Sequence, residues 1–134
     1  MPTPPLPQPV IELLVRPNPA VIGTVRPAGA PVTVATWYLW DDDRILVNMD
    51  AERRRLSYIE ADPRVSLTVL DPDDWYTHVS VQGRMTLQDD PELSGIDRLA
   101  KHYNGKPYPE RRRPRVNGWI EIEYWHAWGR LADG

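Results

Sequence analysis

The sequence has no cysteine. That absence excludes disulfides, thiolate-bound zinc, iron–sulfur clusters and cysteine nucleophiles together, and it fits a cytoplasmic setting. Phenylalanine is also missing. No apolar run nears the roughly 20 residues that a membrane-spanning helix requires, and mean hydropathy is −0.53. The opening Met1-Pro2-Thr3-Pro4-Pro5-Leu6-Pro7 has no basic segment followed by an apolar one, so it does not read as a secretory signal. There is no surplus of positive charge: 16 Lys and Arg face 19 Asp and Glu, so the electrostatic footprint of a nucleic-acid binder is lacking. The three histidines, His78, His102 and His126, fall at no metal-ligand spacing, and no metal is expected. Neither a G-x-S-x-G elbow nor a G-x-G-x-x-G or Walker loop occurs.

What is present is a chain of 134 residues, enough for one domain with one core, and 41% of it is hydrophobic. Proline is abundant, at 15 residues, and Trp and Tyr number six each. Five prolines fall within residues 1–9, which predicts a disordered or polyproline-like leader outside the core, followed by a single domain over 10–134. Val10–Val15 reads as a short helix stopped by Arg16-Pro17-Asn18-Pro19. Three strands follow, over Ala20–Val25, Val32–Trp40 and Arg44–Met49, and their spacing predicts an antiparallel meander. Val32–Trp40 is too evenly apolar for a one-sided edge strand.

Residues 51–60 form a second short helix with Asp50 as a plausible N-cap. Strands are expected over Arg64–Leu70, over Trp75–Leu87 with a bulge at Gly83, and over Val116–Trp128, and a helix over Pro91–Tyr103. The sum is a mainly β protein: six strands, mostly antiparallel, with short helices. A closed or partly closed barrel would hide the strand edges.

The strongest chemical signal is Asp50-Ala51-Glu52-Arg53-Arg54-Arg55. A helix N-terminus already carries about half a positive charge. Three guanidinium groups there repel it and one another, so stability alone favours acidic residues instead. An anion seated among the helix amides and the Arg forks reverses the sign of both effects. Arg53 and Arg55 are therefore candidate phosphate ligands, with Arg54 the lesser one. The alternative is a solvated basic patch balanced by Glu52, Glu60 and Asp62. Arg111-Arg112-Arg113 lies in a Pro-bounded loop without helix-terminus geometry and reads as structural, or as a lid or subunit contact. A chain with no nucleophile and no metal, yet with a phosphate site and many indoles, suits an organic cofactor that carries the chemistry itself.

Pro31-Val32-Thr33-Val34-Ala35-Thr36-Trp37-Tyr38, Val47-Asn48-Met49, Arg53-Arg54-Arg55 and Asp62-Pro63-Arg64-Val65-Ser66-Leu67 resemble the pyridoxamine 5'-phosphate oxidase-like split β-barrel proteins. Within that group the likeness is to actinobacterial flavin/deazaflavin oxidoreductases that use coenzyme F420. Val81-Gln82-Gly83-Arg84 and His102-Tyr103-Asn104-Gly105-Lys106-Pro107-Tyr108 carry it further, so that it spans about residues 12–129. The resemblance implies a six-stranded split barrel of the FMN-binding-protein kind and a homodimer with cofactor at the subunit interface. It implies phosphate binding by Arg53 and Arg55, and a cofactor ring along Ala35, Thr36, Trp37, Asn48 and Met49, with His78 near the ring. It also implies hydride transfer between F420 and a small unsaturated or electrophilic substrate. FMN-dependent oxidation or reduction, or cofactor binding without catalysis, are the alternatives. Tyr38, Tyr76 and His78 are candidate proton donors, and Trp119 and Trp125 are expected at an interface. Relatives often open the helix with Gly-Arg-x-Lys, where this chain has Glu52-Arg53-Arg54-Arg55.

Overall fold

Apolar residues alternate along most of the strand segments, and this decides which face turns inward. In the computed structural model, which describes residues 2–132, the elements are α1 (Gln8–Leu14), β1 (Ala20–Val25), β2 (Pro31–Thr36), β3 (Leu39–Asp41), β4 (Arg44–Asp50) and α2 (Arg54–Ala61), then β5 (Arg64–Leu70), β6 (His78–Asp89), α3 (Ser94–Asn104) and β7 (Arg115–Trp128). A single 3-10 turn, Gly129–Leu131, follows. Val65, Leu67 and Val69 of β5 alternate with half-buried Ser66, Thr68 and Leu70. The inward set joins Ile22, Val81, Ile120, Ile45 and Val47 in the main core.

The sheet has seven strands, all paired antiparallel, in the order β2-β1-β5-β6-β7-β4-β3. The expected count was six. Val32–Trp40 is not one strand but two, β2 and β3, which lie at opposite edges of the sheet. The expected three-strand meander is therefore absent. β1 pairs with β2 and β3 with β4, but the two hairpins are neighbours in sequence only. Only Trp37 and Tyr38 connect the edges, and such a connector spans no more than about 11 Å. The sheet must curl until its two edges nearly meet, which leaves a barrel open along one seam.

Tyr38 fills that seam and is fully buried. Its hydroxyl donates to the Arg16 carbonyl (2.9 Å), and its backbone N–H donates to the Tyr103 hydroxyl (3.3 Å). Tyr103 in turn donates to the Asn18 carbonyl (2.7 Å), and the Asn18 amide donates to the Leu13 carbonyl (2.7 Å). Each such bond contributes on the order of 1 kcal/mol. Together they tie the Pro-rich breaker after α1 and the helix α3 to the seam.

β2 is an edge strand exposed at most of its positions, contrary to the expectation from its even apolarity. The doubly buried strand is β4. Its Ile45, Val47 and Met49 face the main core, whereas Leu46 meets Leu93, Ile96 and Leu99 in a second apolar cluster beneath α3. The bulge expected at Gly83 is present as a register shift between Gln82 and Gly83. A Cβ at Gly83 would collide with the Glu121 carbonyl, so the close strand crossing there requires glycine.

The N-terminal segment was expected to stay outside the core. Instead Leu6 is buried in it beside Val10, Leu13 and Leu14 of α1. Pro2 and Thr3 offer their carbonyls to the Trp125 backbone (3.1 Å) and indole N–H (3.1 Å). Trp125 is thus half-buried, in part beneath its own N-terminal segment. Trp119 likewise lies under the Arg44 guanidinium, 4.1 Å from the ring centroid, and donates to Gln88.

Two predictions follow from this packing. Leu6→Ala should lower unfolding free energy by about 2 kcal/mol, read as a urea midpoint shift; an unchanged midpoint would show that the leader does not dock. Acid should also destabilise the fold. The backbone N–H of Asp73, with Arg130 and Arg16, holds Asp71 below the usual carboxylate range, and Arg64 lowers Asp62 to about 2. Their stabilisation is complete above the unfolded value near ~4 and is lost as pH falls from there towards ~2. The urea midpoint should therefore drop between pH 6 and pH 3, and drop less in Asp71→Asn.

Candidate functional site

The arginine triplet opens α2 as the charge argument anticipated, but in a different register. Arg53 occupies the N-cap position with extended backbone, and Arg54 and Arg55 are the first two helical residues. Asp50 is not the N-cap. It turns back to accept the Glu52 N–H (2.9 Å) and pairs with Arg113 (3.0 Å). Among the described residues no side chain caps α2, and its first turn carries no acid. Its amides and its guanidinium groups thus point the same sign of charge in one direction.

Arg55 is the most constrained of the three. It is half-buried, and its Nε is buried without a hydrogen-bond partner. Burial, then the neighbouring Arg53 charge, pull its guanidinium below the ordinary arginine value. Both effects would be relieved by an anion. A cavity of roughly 460 Å³ lies against these residues, walled by Arg53, Arg54, Arg55 and Tyr58 on one side and by Thr24, Arg26, Val32, Val34 and Ala35 on the other. Glu52 lines it too and partly offsets the charge.

Ala35 also lines a second cavity, of roughly 640 Å³, so the two adjoin across β2. Thr36, Trp37 and Asn48 line this one from the barrel side, and Ile96, Leu99 and Tyr103 of α3 close it from above, with Tyr108 and Arg115. Trp37 stacks on Tyr103, with centroids 5.3 Å apart and planes 13° apart, and meets Tyr108 edge-on. The Tyr103 hydroxyl is committed to the seam and is pushed up to about 12 by burial.

Below this cavity lies a buried polar relay. Asp90 accepts the backbone N–H groups of Gly95 (3.0 Å) and Ile96 (3.0 Å), doing for α3 what a capping side chain does. It also accepts from Asn48 Nδ2 (3.1 Å), which donates to Asn117 (2.7 Å) as well. Arg115 Nε completes the relay by donating to Asn48 Oδ1 (2.8 Å). Gly95 is required for this approach, since a Cβ there would collide with the Asn117 side chain.

The structure thus brings together Arg53, Arg54, Arg55, Ala35, Thr36, Trp37 and Asn48 around two adjoining cavities. Two candidates lie elsewhere. Met49 is buried in the main core, because strand alternation turns it away from Asn48, and its side chain lines neither cavity. His78 begins β6, where it stacks on Trp128 and bonds the Tyr76 carbonyl through Nδ1 (2.7 Å), also away from both cavities. Of the other candidate donors, Tyr38 is buried and raised by that burial, and Tyr76 is exposed beside His78. The second basic run is structurally engaged: Arg111 forks onto Asp97, Arg113 holds Asp50, and the Arg112 N–H donates to Glu110. Sequence reading missed Arg115, Tyr103, Tyr108 and Asp90 as cavity or support residues. Arg115 stands two positions beyond the triplet that drew attention, and only the pairing of β4 with β7, which sets it opposite Asp50, brings its side chain within reach of Asn48.

Comparison with known proteins supplies the context. Among solved structures, an F420 reductase is similar over 90% of this chain and 98% of its own, at 28% identity and a TM-score of 0.83. A conserved hypothetical protein of Mycobacterium tuberculosis (22% identity, TM-score 0.78, 98% and 89% covered) and General Stress Protein 26 of Bacillus anthracis (18%, 0.69, 89% and 90%) share the fold. No curated protein matches the chain. The family model for pyridoxamine 5'-phosphate oxidase matches residues 6–129, nearly the whole split barrel and both cavities, and the chain belongs to that family.

Proposed function

We propose that the protein is an oxidoreductase that binds the deazaflavin F420 and reduces a small unsaturated or electrophilic molecule. The observation that carries this reading is the adjacency of two unlike cavities: one is ringed by the uncapped, arginine-bearing start of α2, and the next is walled by aromatic rings. The similarity to an F420 reductase at 28% identity supports it. The residues fit such a cofactor. Arg55 has a buried, unpartnered Nε, and the helix amides beside it lack a side-chain cap. Arg53 and Arg55, assisted by Arg54, would grip a phosphate there. Ala35, Thr36, Trp37 and Asn48 would flank the ring. When bound, the cofactor supplies the hydride. The chain's own part is to orient both reactants and keep water from the aromatic cavity.

The same reading includes a homodimer. The exposed, unpaired edge of β2 and exposed Val34 at the cavity mouth leave a side that a second copy could cover. Light scattering that returns a monomer at micromolar concentration would remove this part.

Titration with F420 and, separately, FMN, followed by ligand fluorescence, should show F420 binding. Arg53→Ala and Arg55→Ala should each weaken it by about ten- to a hundredfold, the worth of one charged hydrogen bond. Tight FMN binding with none for F420 would replace the cofactor assignment. Reduced F420 should be reoxidised by some member of a panel of enones and quinones; failure across the panel would leave a cofactor-binding protein.

A further inference from the structure

Arg115 is a cation with an unspent valence. Its Nε is fixed on Asn48 Oδ1 at 2.8 Å, and Asn48 is itself held by Asp90 and Asn117. The guanidinium carbon sits 4.8 Å from the Tyr108 ring centroid, and Arg115 lines both the larger cavity and another shared with Arg111, Arg112 and Arg113. Among the described residues no carboxylate lies within 4 Å of it and no hydrogen bond leaves its terminal nitrogens. The nearby acids hydrogen-bond elsewhere, Asp50 to Arg113, Glu110 to the N–H groups of Arg112 and Arg113, and Asp90 to the α3 amides, and Asp50 and Glu110 attract Arg115 only through space. A cation positioned through Nε by a neutral amide keeps its terminal donors for whatever enters the cavity.

We propose that Arg115 anchors the substrate, and that the substrate is a flat, conjugated monocarboxylate. The chemistry narrows the class in two steps. One guanidinium, with its remaining donors in a planar fork, matches a carboxylate in charge and in geometry, whereas a phosphate dianion calls for further cations. Apart from Thr36 and Asn48 the remaining wall is apolar and aromatic, with Trp37 and Tyr108 at right angles, which receives a planar unsaturated body. The inference rests on the reading that the two cavities serve one reaction, with the α2 arginines holding the cofactor and Arg115 the other reactant. The competing view is that Arg115 only packs on Tyr108, a cation–π contact with no ligand role.

The test uses trans-cinnamate and its neutral isostere trans-cinnamamide, titrated into the full chain and followed by tryptophan fluorescence. The wild type should prefer cinnamate by roughly tenfold or more. Arg115→Gln should erase the preference, and Arg115→Lys, which keeps charge but loses the fork, should retain part of it. F420 affinity should fall less in both variants than in Arg55→Ala, since Arg115 reaches the ring site only through Asn48. Equal binding of the two probes by the wild type, or binding of neither, overturns the proposal, and these outcomes need no variant to fold. A preference that survives Arg115→Gln, or an F420 affinity that falls with it as far as with Arg55→Ala, overturns it as well. Failure of the wild type to bind F420 or FMN strikes the cofactor reading instead, while a cinnamate preference lost in Arg115→Gln would still locate the carboxylate site.

Discussion

The two-residue link between opposite edges of the sheet is the constraint on which this molecule turns. Trp37 and Tyr38 can join β2 to β3 only if seven strands curl almost into a cylinder. That curl creates the enclosed core and the open seam together. Tyr38 is spent on sealing the seam, and Trp37, its neighbour in the chain, faces outward into the larger cavity. The site is therefore a by-product of closure: it lies where the barrel fails to complete itself, bounded by the strand end, the breaker after α1 and the underside of α3.

The two longer helices show opposite answers to one electrostatic problem. α3 begins with its amides satisfied by a buried aspartate, and acidic Asp97 lies in its first turn. α2 begins with neither and adds guanidinium groups instead. A capped and an uncapped helix start are thus present in one chain, so the α2 start cannot be ascribed to a general indifference to capping. The Asp90 relay also links parts that contact-by-contact description separates: the position of α3, the orientation of Asn48 and the aim of Arg115 share one carboxylate.

Much of the architecture was legible in the residues. Alternation located β5, most of β6 and β7, Gly83 announced its bulge, and the misplaced arginines pointed to the mouth of the smaller cavity. What local pattern could not supply was long-range pairing. Val32–Trp40 has strand character throughout, and only the partners of its two halves reveal a break at Trp37. For the same reason β2 looked buried and β4 did not stand out, because a second apolar layer beneath α3 is invisible until α3 is placed. The leader misled through composition: its prolines are exposed apart from half-buried Pro7, yet one leucine among them is enough to dock it. Met49 and His78 were carried by resemblance rather than by their surroundings, and their side chains line neither cavity.

The strand order has a bearing on biosynthesis. β4 lies between β3, its hairpin partner, and β7, the final strand, some seventy residues further along the chain. As the polypeptide emerges, the early hairpins have no inner neighbour to hold them side by side, and the sheet can wrap only after the distal segment arrives. Pairings so distant in sequence make for slow acquisition of structure, and until then the β-branched edge of β2 is available to other nascent chains.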